Sequence, residues 1–388
     1  MLWEIVFLVL FFGAGLGLVH TYFMYPLTLK LWALFSGDDE SEERGDLKSV
    51  ALIIAAYNEE DVIAEKIENS LELAYPDELL NIVVFSDASD DRTDEIVKQY
   101  ENQGVSLVRI EGRVGKTECQ NRVVDLVDED IIVFSDANSM YESDAITNLV
   151  RGFSSQVGCV VGELRYRESS DVEGESFYWQ YESWIKRLES RFYSLVTGNG
   201  SIYAVKSESY VPQPPGTISD FTEPLSIIRN GERVKYVPSA VAWEETSSST
   251  SEELQRRIRI VTRCWNSIAG FPDLLNPIRD PRFAYQLWSH KILRWLSPVL
   301  LGVVLVANVG LVAVTSSVVY QVLLAGQISF YLLAGVGWVA DRLEIDSPLI
   351  AHVPFYFLQA NYGMLHGLLN FLQRKNIVVW ETSSRTDE

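Results

Sequence analysis

The chain has 388 residues and a formal net charge of −21, from 53 acidic and 32 basic side chains. A surface this acidic repels phosphate backbones, so we expect no nucleic acid partner. The three cysteines, Cys119, Cys159 and Cys264, are far apart and form no CxxC motif. Their spacing argues against a disulfide scaffold or a zinc site. The length allows two or three domains, or one domain plus membrane helices.

The N-terminal segment is almost wholly apolar over residues 2–35 and carries no charge between Glu4 and Lys30. About 20 apolar residues are enough to span a bilayer. A signal peptide would have a basic start and a shorter apolar core, so we predict an uncleaved transmembrane helix over residues 1–36. The position of Lys30 favours a cytoplasmic location for the next domain, which an acidic linker at 37–48 precedes.

Residues 49–270 alternate between short apolar runs and amphipathic segments, which is typical of parallel βαβ units with right-handed crossovers. The predicted strands are residues 50–55, 81–85, 105–108 and 131–134, and the predicted helices are 61–73, 94–100 and 117–127. Apolar runs without polar alternation indicate strands that are buried on both faces. The pattern predicts a Rossmann-like, mostly parallel α/β sheet. Because the GxGxxG motif is absent, we expect no dinucleotide cofactor.

Two of the predicted strands run into the same three residues, Phe-Ser-Asp, which end in Asp87 and Asp136. Open α/β sheets bind ligands outside the carboxyl ends of their strands. Carboxylate oxygens suit hard cations such as Mg²⁺ and Mn²⁺, which accompany nucleotide diphosphates. An ordinary turn is the alternative interpretation, because Asp is common in turns for local hydrogen-bonding reasons.

These features together resemble family 2 glycosyltransferases, in particular the membrane-bound, inverting enzymes of the polysaccharide-synthase type. The resemblance lies in residues 56–60 (Ala-Tyr-Asn-Glu-Glu), Asp87, Gly115-Lys116 followed by Asn121, residues 136–138 (Asp-Ala-Asn), Gly198-Asn199-Gly200-Ser201, Ser219-Asp220 and a pattern that continues to Glu244. It covers about residues 50–270, and the motifs are specific as a set rather than singly.

The resemblance implies a GT-A fold, with a nucleotide-sugar-binding half at 49–160 and an acceptor-binding half at 161–275. The residues that it assigns to the nucleotide sugar are Ala56, Tyr57, Asn58, Glu59, Asp87, Lys116, Asp136 and Ala137. Lys116 would neutralise a phosphate at a helix N-terminus. The family's metal motif is usually Asp-x-Asp, and here Asp136 and the neutral Asn138 are the implied ligands of Mg²⁺ or Mn²⁺.

The resemblance also assigns Asp220 as the general base that takes the proton from the acceptor hydroxyl. Glu223, three residues on, is the alternative base. Contacts to the acceptor or the diphosphate fall to Gly198, Asn199 and Gly200 and to the arginines Arg256, Arg257 and Arg259, which stand where membrane-bound synthases carry QxxRW. A basic helix near anionic lipid headgroups is the other interpretation of these arginines. Ile260 replaces the motif's tryptophan, so a platform for the acceptor sugar is missing or comes from Trp265.

The C-terminal part predicts further membrane contact. An amphipathic interfacial helix is expected at 276–298, because aromatic and basic side chains suit the headgroup layer. Transmembrane helices are expected within 299–373, beginning with a hairpin around an uncharged Thr-Ser-Ser turn at 315–317. Residues 349–372 contain several polar side chains and either span or lie re-entrant. The membrane side of the tail at 374–388 stays open.

We therefore expect a multi-pass cell-membrane protein with a cytoplasmic catalytic domain. The expected activity is inverting transfer from a nucleotide-diphosphate sugar to a lipid or lipid-linked glycan acceptor, assisted by Mg²⁺ or Mn²⁺. One alternative is a processive polysaccharide synthase that extrudes its polymer. Another is a catalytically silent, membrane-anchored nucleotide-sugar binder, which the neutral Asn138 and Ser219 keep open.

Overall fold

A computed structural model describes residues 1–35, 47–167, 173–245, 250–343, 345 and 348–375, without the side chains of 173–179 and 250–253. Most of the predicted acidic linker at 37–48 and of the tail at 374–388 lies outside the described residues. The chain divides into two compact units. A helical unit contains the described residues of 1–28, 249–265 and 285–375, and a sheet unit contains those of 29–248 and 266–284.

The sheet unit is built on one eight-stranded sheet with the order β3-β2-β1-β4-β7-β6-β8-β5. Its strands are β1 (Val50–Ala56), β2 (Leu80–Asp87), β3 (Val105–Ile110), β4 (Ile131–Asp136), β5 (Met140–Tyr141), β6 (Val157–Arg167), β7 (Tyr203–Lys206) and β8 (Arg233–Glu245). The first four strands are mutually parallel, and β7 joins β4 in the antiparallel sense. The four strands predicted from the sequence are therefore confirmed, each slightly longer than expected.

The helices follow from the same periodicity. In chain order they are α1 (Leu2–Val19), α2 (Tyr25–Phe35), α3 (Ile63–Leu71), α4 (Thr93–Lys98), α5 (Lys116–Val124), α6 (Ala145–Arg151), α7 (Glu173–Phe192), α8 (Ser219–Arg229), α9 (Thr250–Ile268), α10 (Pro281–Leu287), α11 (Leu293–Trp295), α12 (Ser297–Thr315), α13 (Val318–Arg342) and α14 (Leu349–Leu372). Two π-helical turns, His20–Met24 and Trp288–Ile292, continue α1 into α2 and α10 into α11.

The core of the sheet unit lies around β1, whose seven residues are all buried. An apolar run without alternation needs cover on both faces, and helices supply it, as expected for a parallel sheet. On one face, Ile63 and Ile67 of α3 and Val97 of α4 pack into the cluster that contains Ile54 and Val84. This core fixes the carboxyl ends of β1, β2 and β4 beside one another.

The helical unit contains the apolar segments. Among the described residues, three helices are long and apolar enough to cross a membrane: Leu2–Phe35, Ser297–Thr315 and Val318–Arg342. The predicted hairpin corresponds to α12 and α13, with Ser316 in a left-handed conformation between them. The region predicted as an interfacial helix is helical from Pro281 to Trp295, but Arg294 and Trp295 are buried. Packing within the helical unit therefore covers two side chains that we expected at a headgroup surface.

Helix α14 matches the predicted segment 349–372 and packs closely on α9. A Cβ atom on Gly367 would lie 2.6 Å from Cγ1 of Val261, and one on Gly363 would lie 3.4 Å from Cγ of Arg257. Small residues spaced by four allow two helices to approach this closely. One face of the C-terminal half of α14 is thus covered by α9.

Candidate active site

The strand ends place the two predicted carboxylates at one edge of the sheet. Asp136 ends β4 and is paired in register with Ala55 of β1, while Ser86, next to Asp87, is paired with Ala56. Strand β1 lies between β2 and β4, so both acids emerge on the same side of the sheet. The prediction that the two Phe-Ser-Asp ends share an edge is confirmed.

Asp87 is completely buried and shapes the loop that precedes α5. Its carboxylate accepts hydrogen bonds from the backbone N–H groups of Val114, at 2.8 Å, and Gly115, at 3.0 Å. Arg113 lies 3.4 Å from the same carboxylate, and its guanidinium carbon is 3.0 Å from the centroid of the Tyr57 ring. Asp87 therefore holds the loop over Tyr57, the residue predicted to stack on a nucleobase.

The turn after β1 is locked to the turn after β2. Asn58, at a φ of 50°, donates through Nδ2 to Oδ1 of Asp90 at 2.5 Å and accepts through Oδ1 from the backbone N–H of Asp90 at 3.0 Å. The backbone N–H of Glu59 donates to Oγ1 of Thr93 at 2.8 Å. The buried Ala56 ends the strand just before this turn. Asn58, which the resemblance assigns to the nucleotide sugar, thus links the loop after β1 to the loop after β2.

Lys116 and Asp136 are brought together at the sheet edge. Gly115 adopts a φ of 94°, which favours glycine, and its turn lets α5 begin at Lys116. Nζ of Lys116 forms an ion pair with Oδ1 of Asp136, whose side chain is 33% exposed. A cation and a partly exposed carboxylate therefore meet at an accessible helix N-terminus, an arrangement suited to phosphate groups.

Gly200 joins this pair to Asp220. The N–H of Gly200 donates to Oδ2 of Asp220 at 3.0 Å, and the N–H of Gly198 donates to the carbonyl oxygen of Asp220 at 2.7 Å. A Cβ atom on Gly200 would lie 3.2 Å from Nζ of Lys116, 3.5 Å from Oδ2 of Asp220 and 3.7 Å from Oδ2 of Asp136. Three side chains predicted from separate motifs thus surround one glycine.

The residues on either side of Gly200 order the rest of the loop at 198–201. Oδ1 of Asn199 accepts from the N–H of Ser201 at 3.2 Å. A Cβ atom on Gly198 would lie only 2.5 Å from the carbonyl oxygen of Asp220. Glycine at 198 is therefore required for the loop to lie against the first turn of α8.

Glu223 points away from the cluster. Its carboxylate accepts from the backbone N–H of Val211 at 3.2 Å and from Nε2 of Gln213 at 3.0 Å. Burial raises the pKa of Glu223 to about 8, although these two hydrogen bonds oppose the rise. The alternative base is thus buried, and these hydrogen bonds direct it to the segment 211–213 rather than to Gly200.

Sequence reasoning missed a buried lysine next to the turn that carries Asp136. Lys66 is fully buried, donates through Nζ to the carbonyl oxygen of Ser139 at 2.5 Å and lies 3.8 Å from the centroid of the Tyr141 ring. Burial lowers the pKa of Lys66 to about 7, and the charges of Asp136 and Glu244 oppose this shift. The available signal was helical spacing, because Lys66 lies on the same face of α3 as Ile63 and Ile67.

The arginines of the predicted acceptor set lie on α9. Arg257 contacts α14, with Nη2 3.2 Å from the hydroxyl of Tyr356, whereas Arg256 is exposed and Arg259 is partly buried. Trp265, the possible acceptor platform, packs between Trp295, with ring centroids 5.2 Å apart, and Phe371, at 5.7 Å. The roles predicted for these residues in acceptor binding stay predictions.

The residues at the sheet edge fit a divalent cation that takes some of its ligands from the protein and the others from a substrate. Within the described part of the chain, no group of three or more His, Cys, Asp or Glu side chains is arranged as a metal site. Mg²⁺ and Mn²⁺ do not need one, since Mg²⁺ commonly binds one or two carboxylates together with phosphates and water. The single carboxylate of Asp136 and the amide oxygen of Asn138 on the same turn match that type of site.

A family model described as "Glycosyl transferase family 2" matches residues 51–209, which include β2 to β7, all of β1 except its first residue, and the glycine-rich loop at 198–201. The chain contains a family 2 glycosyltransferase domain. The match ends before Asp220, so the residue predicted as the general base lies outside the matched segment.

Two curated relatives of this glycosyltransferase domain are poly-beta-1,6-N-acetyl-D-glucosamine synthases. The protein of Staphylococcus aureus (strain MSSA476) is 26% identical over 224 residues, which are 55% of this chain and 54% of the relative. The protein of Staphylococcus epidermidis is 23% identical over 273 residues, 66% of each chain. The chain thus spans about half the length of the Staphylococcus aureus relative that it matches.

A solved structure resembles nearly the whole chain. The mannosyltransferase PcManGT from Pyrobaculum calidifontis, in complex with GDP-Man and Mn²⁺, aligns with a TM-score of 0.70 and 22% identity, covering 96% of this chain and 99% of that one. Similarity at this level of identity concerns the fold. It confirms the predicted GT-A, Rossmann-like architecture of the glycosyltransferase domain.

Proposed function

We propose that the protein is an inverting glycosyltransferase that moves a sugar from a nucleotide-diphosphate sugar to a membrane-associated acceptor. The observation that carries the proposal is the convergence of Lys116, Asp136 and Asp220 around Gly200. A displacement at an anomeric carbon needs a base on the acceptor side and positive charge on the diphosphate side. The three side chains supply both functions within one small region.

Asp220 acts as the general base. Its carboxylate takes the proton from the acceptor hydroxyl while the hydroxyl oxygen forms a bond to the anomeric carbon. The bond between that carbon and the phosphate oxygen breaks, and its electron pair leaves with the nucleotide diphosphate. The hydrogen bonds from Gly198 and Gly200 hold Asp220 in place, which limits the reorganisation that the reaction requires. The direction of Glu223 supports Asp220 over that alternative.

Lys116 and Asp136 act on the donor side. Lys116 neutralises a phosphate at the N-terminus of α5, where the helix dipole adds to its charge. Asp136 and Asn138 would hold Mg²⁺ or Mn²⁺, which supplies charge neutralisation for the departing diphosphate. The Mn²⁺ and GDP-Man of the Pyrobaculum complex support a divalent cation and a nucleotide sugar here as well.

We assign the nucleoside to the sheet edge that follows Ala56, beside the Tyr57 ring, where Asn58 and the buried Asp87 order the neighbouring loops. Tyr57 offers an aromatic face, and Arg113 already lies over its ring at 3.0 Å. A nucleobase would bind beside this pair, on the side of the sheet where Lys116 meets the phosphates.

The acceptor is proposed to be a lipid or lipid-linked glycan, because three helices of the chain are long and apolar enough to cross a membrane. We propose that the protein is multi-pass, and the position of Lys30 favours a cytoplasmic glycosyltransferase domain. Arg256, Arg257 and Arg259 are proposed to bind an anionic group of the acceptor or of the surrounding lipid.

A processive polysaccharide synthase is the second candidate, because the two curated relatives are synthases of a polysaccharide. A processive enzyme releases many nucleotide diphosphates per acceptor and yields a ladder of products, whereas a single transfer releases one. Trp265 is the residue that would replace the missing stacking tryptophan, and its ring packs between Trp295 and Phe371. This packing favours single transfer, because it occupies the ring that an acceptor sugar would stack on.

The test is nucleotide-diphosphate release by the purified full chain in lipid nanodiscs, with Mn²⁺ and a panel of nucleotide sugars. Release from one donor, lost in Asp220→Asn while donor binding persists, supports the proposal and identifies the donor. The number of sugars per acceptor then separates single from processive transfer. Binding of a donor without release from any member of the panel, with membrane lipid extract present, overturns the enzyme in favour of a silent binder.

A further inference from the structure

Glu244, near the end of β8, joins two loops of the candidate active site. It is 8% exposed, and its Oε1 accepts hydrogen bonds from Oγ of Ser139, at 2.5 Å, and from Oγ of Ser201. These serines are far apart in sequence, one after β4 and the other before β7. A single carboxylate oxygen therefore connects the two halves of the glycosyltransferase domain from beneath.

Each serine is adjacent to a functional residue. Ser139 closes the turn that carries Asp136 and Asn138, and its N–H donates to the carbonyl oxygen of Asp136 at 3.3 Å. Ser201 follows Gly200, whose N–H holds the carboxylate of Asp220. The Glu244 bridge thus runs from the donor-side carboxylate to the acceptor-side base.

A second set of buried groups supports the same connection. The hydroxyl of Tyr141 lies 3.2 Å from the carbonyl oxygen of Phe134 and 3.0 Å from that of Ser201. Lys66 lies over the Tyr141 ring and donates to the carbonyl oxygen of Ser139. Lys66 and Glu244 attract each other, which opposes the cost of burying both groups. Two hydroxyl hydrogen bonds to the same carboxyl oxygen hold the loops of Ser139 and Ser201 at a fixed separation.

We propose that Glu244 is a positioning residue that fixes the spacing between Asp136 and Asp220 through Ser139 and Ser201. This inference rests on the proposed function of the site. Glu244 contacts neither substrate and acts on the reaction only through the two loops. The bridge requires both serines, so loss of either one should release the loops as completely as loss of both.

The test is a double-mutant cycle in the full chain, with nucleotide-diphosphate release measured in nanodiscs. Ser139→Ala and Ser201→Ala should each lower kcat by about tenfold, because a small misplacement of reacting groups is costly. The double variant should be no slower than the slower single variant, since the bridge is already lost. Ser201→Ala should leave the Kd of the donor with Mn²⁺ unchanged, because the donor-side turn keeps its other contacts.

Ser194→Ala is the matched control, since Ser194 is also buried and its Oγ accepts from the N–H of Val234 at 2.8 Å. It should lower the melting temperature without lowering kcat. Glu244→Ala leaves Lys66 buried without this acid and risks misfolding, so Glu244→Gln is the variant to test. Because glutamine keeps an acceptor oxygen, Glu244→Gln should retain more activity than the serine variants.

With the wild type active, the inference is overturned if the losses of kcat in Ser139→Ala and Ser201→Ala multiply in the double variant. It is also overturned if these two variants have a lower melting temperature but an unchanged kcat. An equal fall in kcat for Ser194→Ala also overturns it. Absence of release by the wild-type protein overturns the proposed function, and the inference with it.

Discussion

The backbone N–H of Gly200 donates a 3.0 Å hydrogen bond to Oδ2 of Asp220. This contact fixes the proposed base against a loop that also approaches Lys116 and Asp136. The loop has little space for a side chain at 200, because each of the three charged groups lies within 3.7 Å of the position that a Cβ atom would take. The geometry of the site is therefore sensitive to the smallest possible substitution.

Gly200→Ala should lower kcat on the order of tenfold and leave the melting temperature nearly unchanged. The added methyl group would lie 3.2 Å from Nζ of Lys116 and displace it from Asp136, whereas the flexible lysine can move without unfolding the loop. Steady-state release of nucleotide diphosphate measures the effect. Gly158→Ala is the matched control, because its methyl group would crowd the end of Glu232 at 2.7 Å, a residue outside the cluster. Equal loss of kcat in both variants would contradict the assignment.

Changes at the donor-side turn should shift the requirement for a divalent cation in opposite directions. Asp136→Asn removes the carboxylate and should raise the Mn²⁺ concentration for half-maximal activity by about tenfold or more, on the order of the effects of disturbing metal sites. Asn138→Asp adds a carboxylate and should lower that concentration, since carboxylates bind hard cations better than amides. Activity titrations with Mn²⁺ after chelation measure both. A midpoint that is the same in all three proteins would show that this turn does not bind the cation.

Glu223 should make the protein less stable as the pH rises. Its pKa is about 8 in the folded protein and 4.5 ordinarily, so between these values the unfolded chain releases a proton that the folded protein retains. Stability from this group is complete below pH 4.5, falls between pH 4.5 and 8, and is lost above pH 8. The nearby Cys159, Tyr203 and Tyr210 stay protonated in this range, because burial raises their pKa values.

Glu223→Gln should therefore gain stability relative to the wild type as the pH rises from about 5 to about 8.5. The gain is on the order of a few kcal/mol, since one pKa unit corresponds to about 1.4 kcal/mol. Melting temperatures of the full chain across this pH range measure it. Glu101→Gln, at an exposed position, controls for the loss of one charge. Parallel curves for wild type and Glu223→Gln would contradict the expectation.

The close packing of α9 on α14 should be sensitive to Gly367. In Gly367→Ala the methyl group would lie 2.6 Å from Cγ1 of Val261 and 3.1 Å from the backbone nitrogen of Thr262. Overpacking of this kind costs about 1–3 kcal/mol, so the melting temperature in detergent should fall. Gly335→Ala is the control, because nothing lies within 4 Å of its added methyl group. A stable Gly367→Ala variant would mean that the two helices separate easily.

The sequence alone determined the parallel part of the sheet and the positions of Asp87 and Asp136 at its edge. Both follow from local patterns, since an apolar run without alternation must be covered on both faces and a polar cluster ends it. It also determined the three apolar helices, because length and hydropathy are properties of continuous segments. The family resemblance added Asp220 and the glycine-rich loop, which no periodicity marks.

Only the tertiary structure decided what these side chains contact. The antiparallel pairing of β7 with β4 brings Gly200 beside Lys116 and Asp136, and nothing in the local sequence specifies that pairing. The direction of Glu223, the loop that Asp87 holds and the buried bridge of Glu244 depend on packing between residues that are distant in the chain. Local periodicity fixes which face of an element is buried, whereas the partner on that face is set by long-range packing.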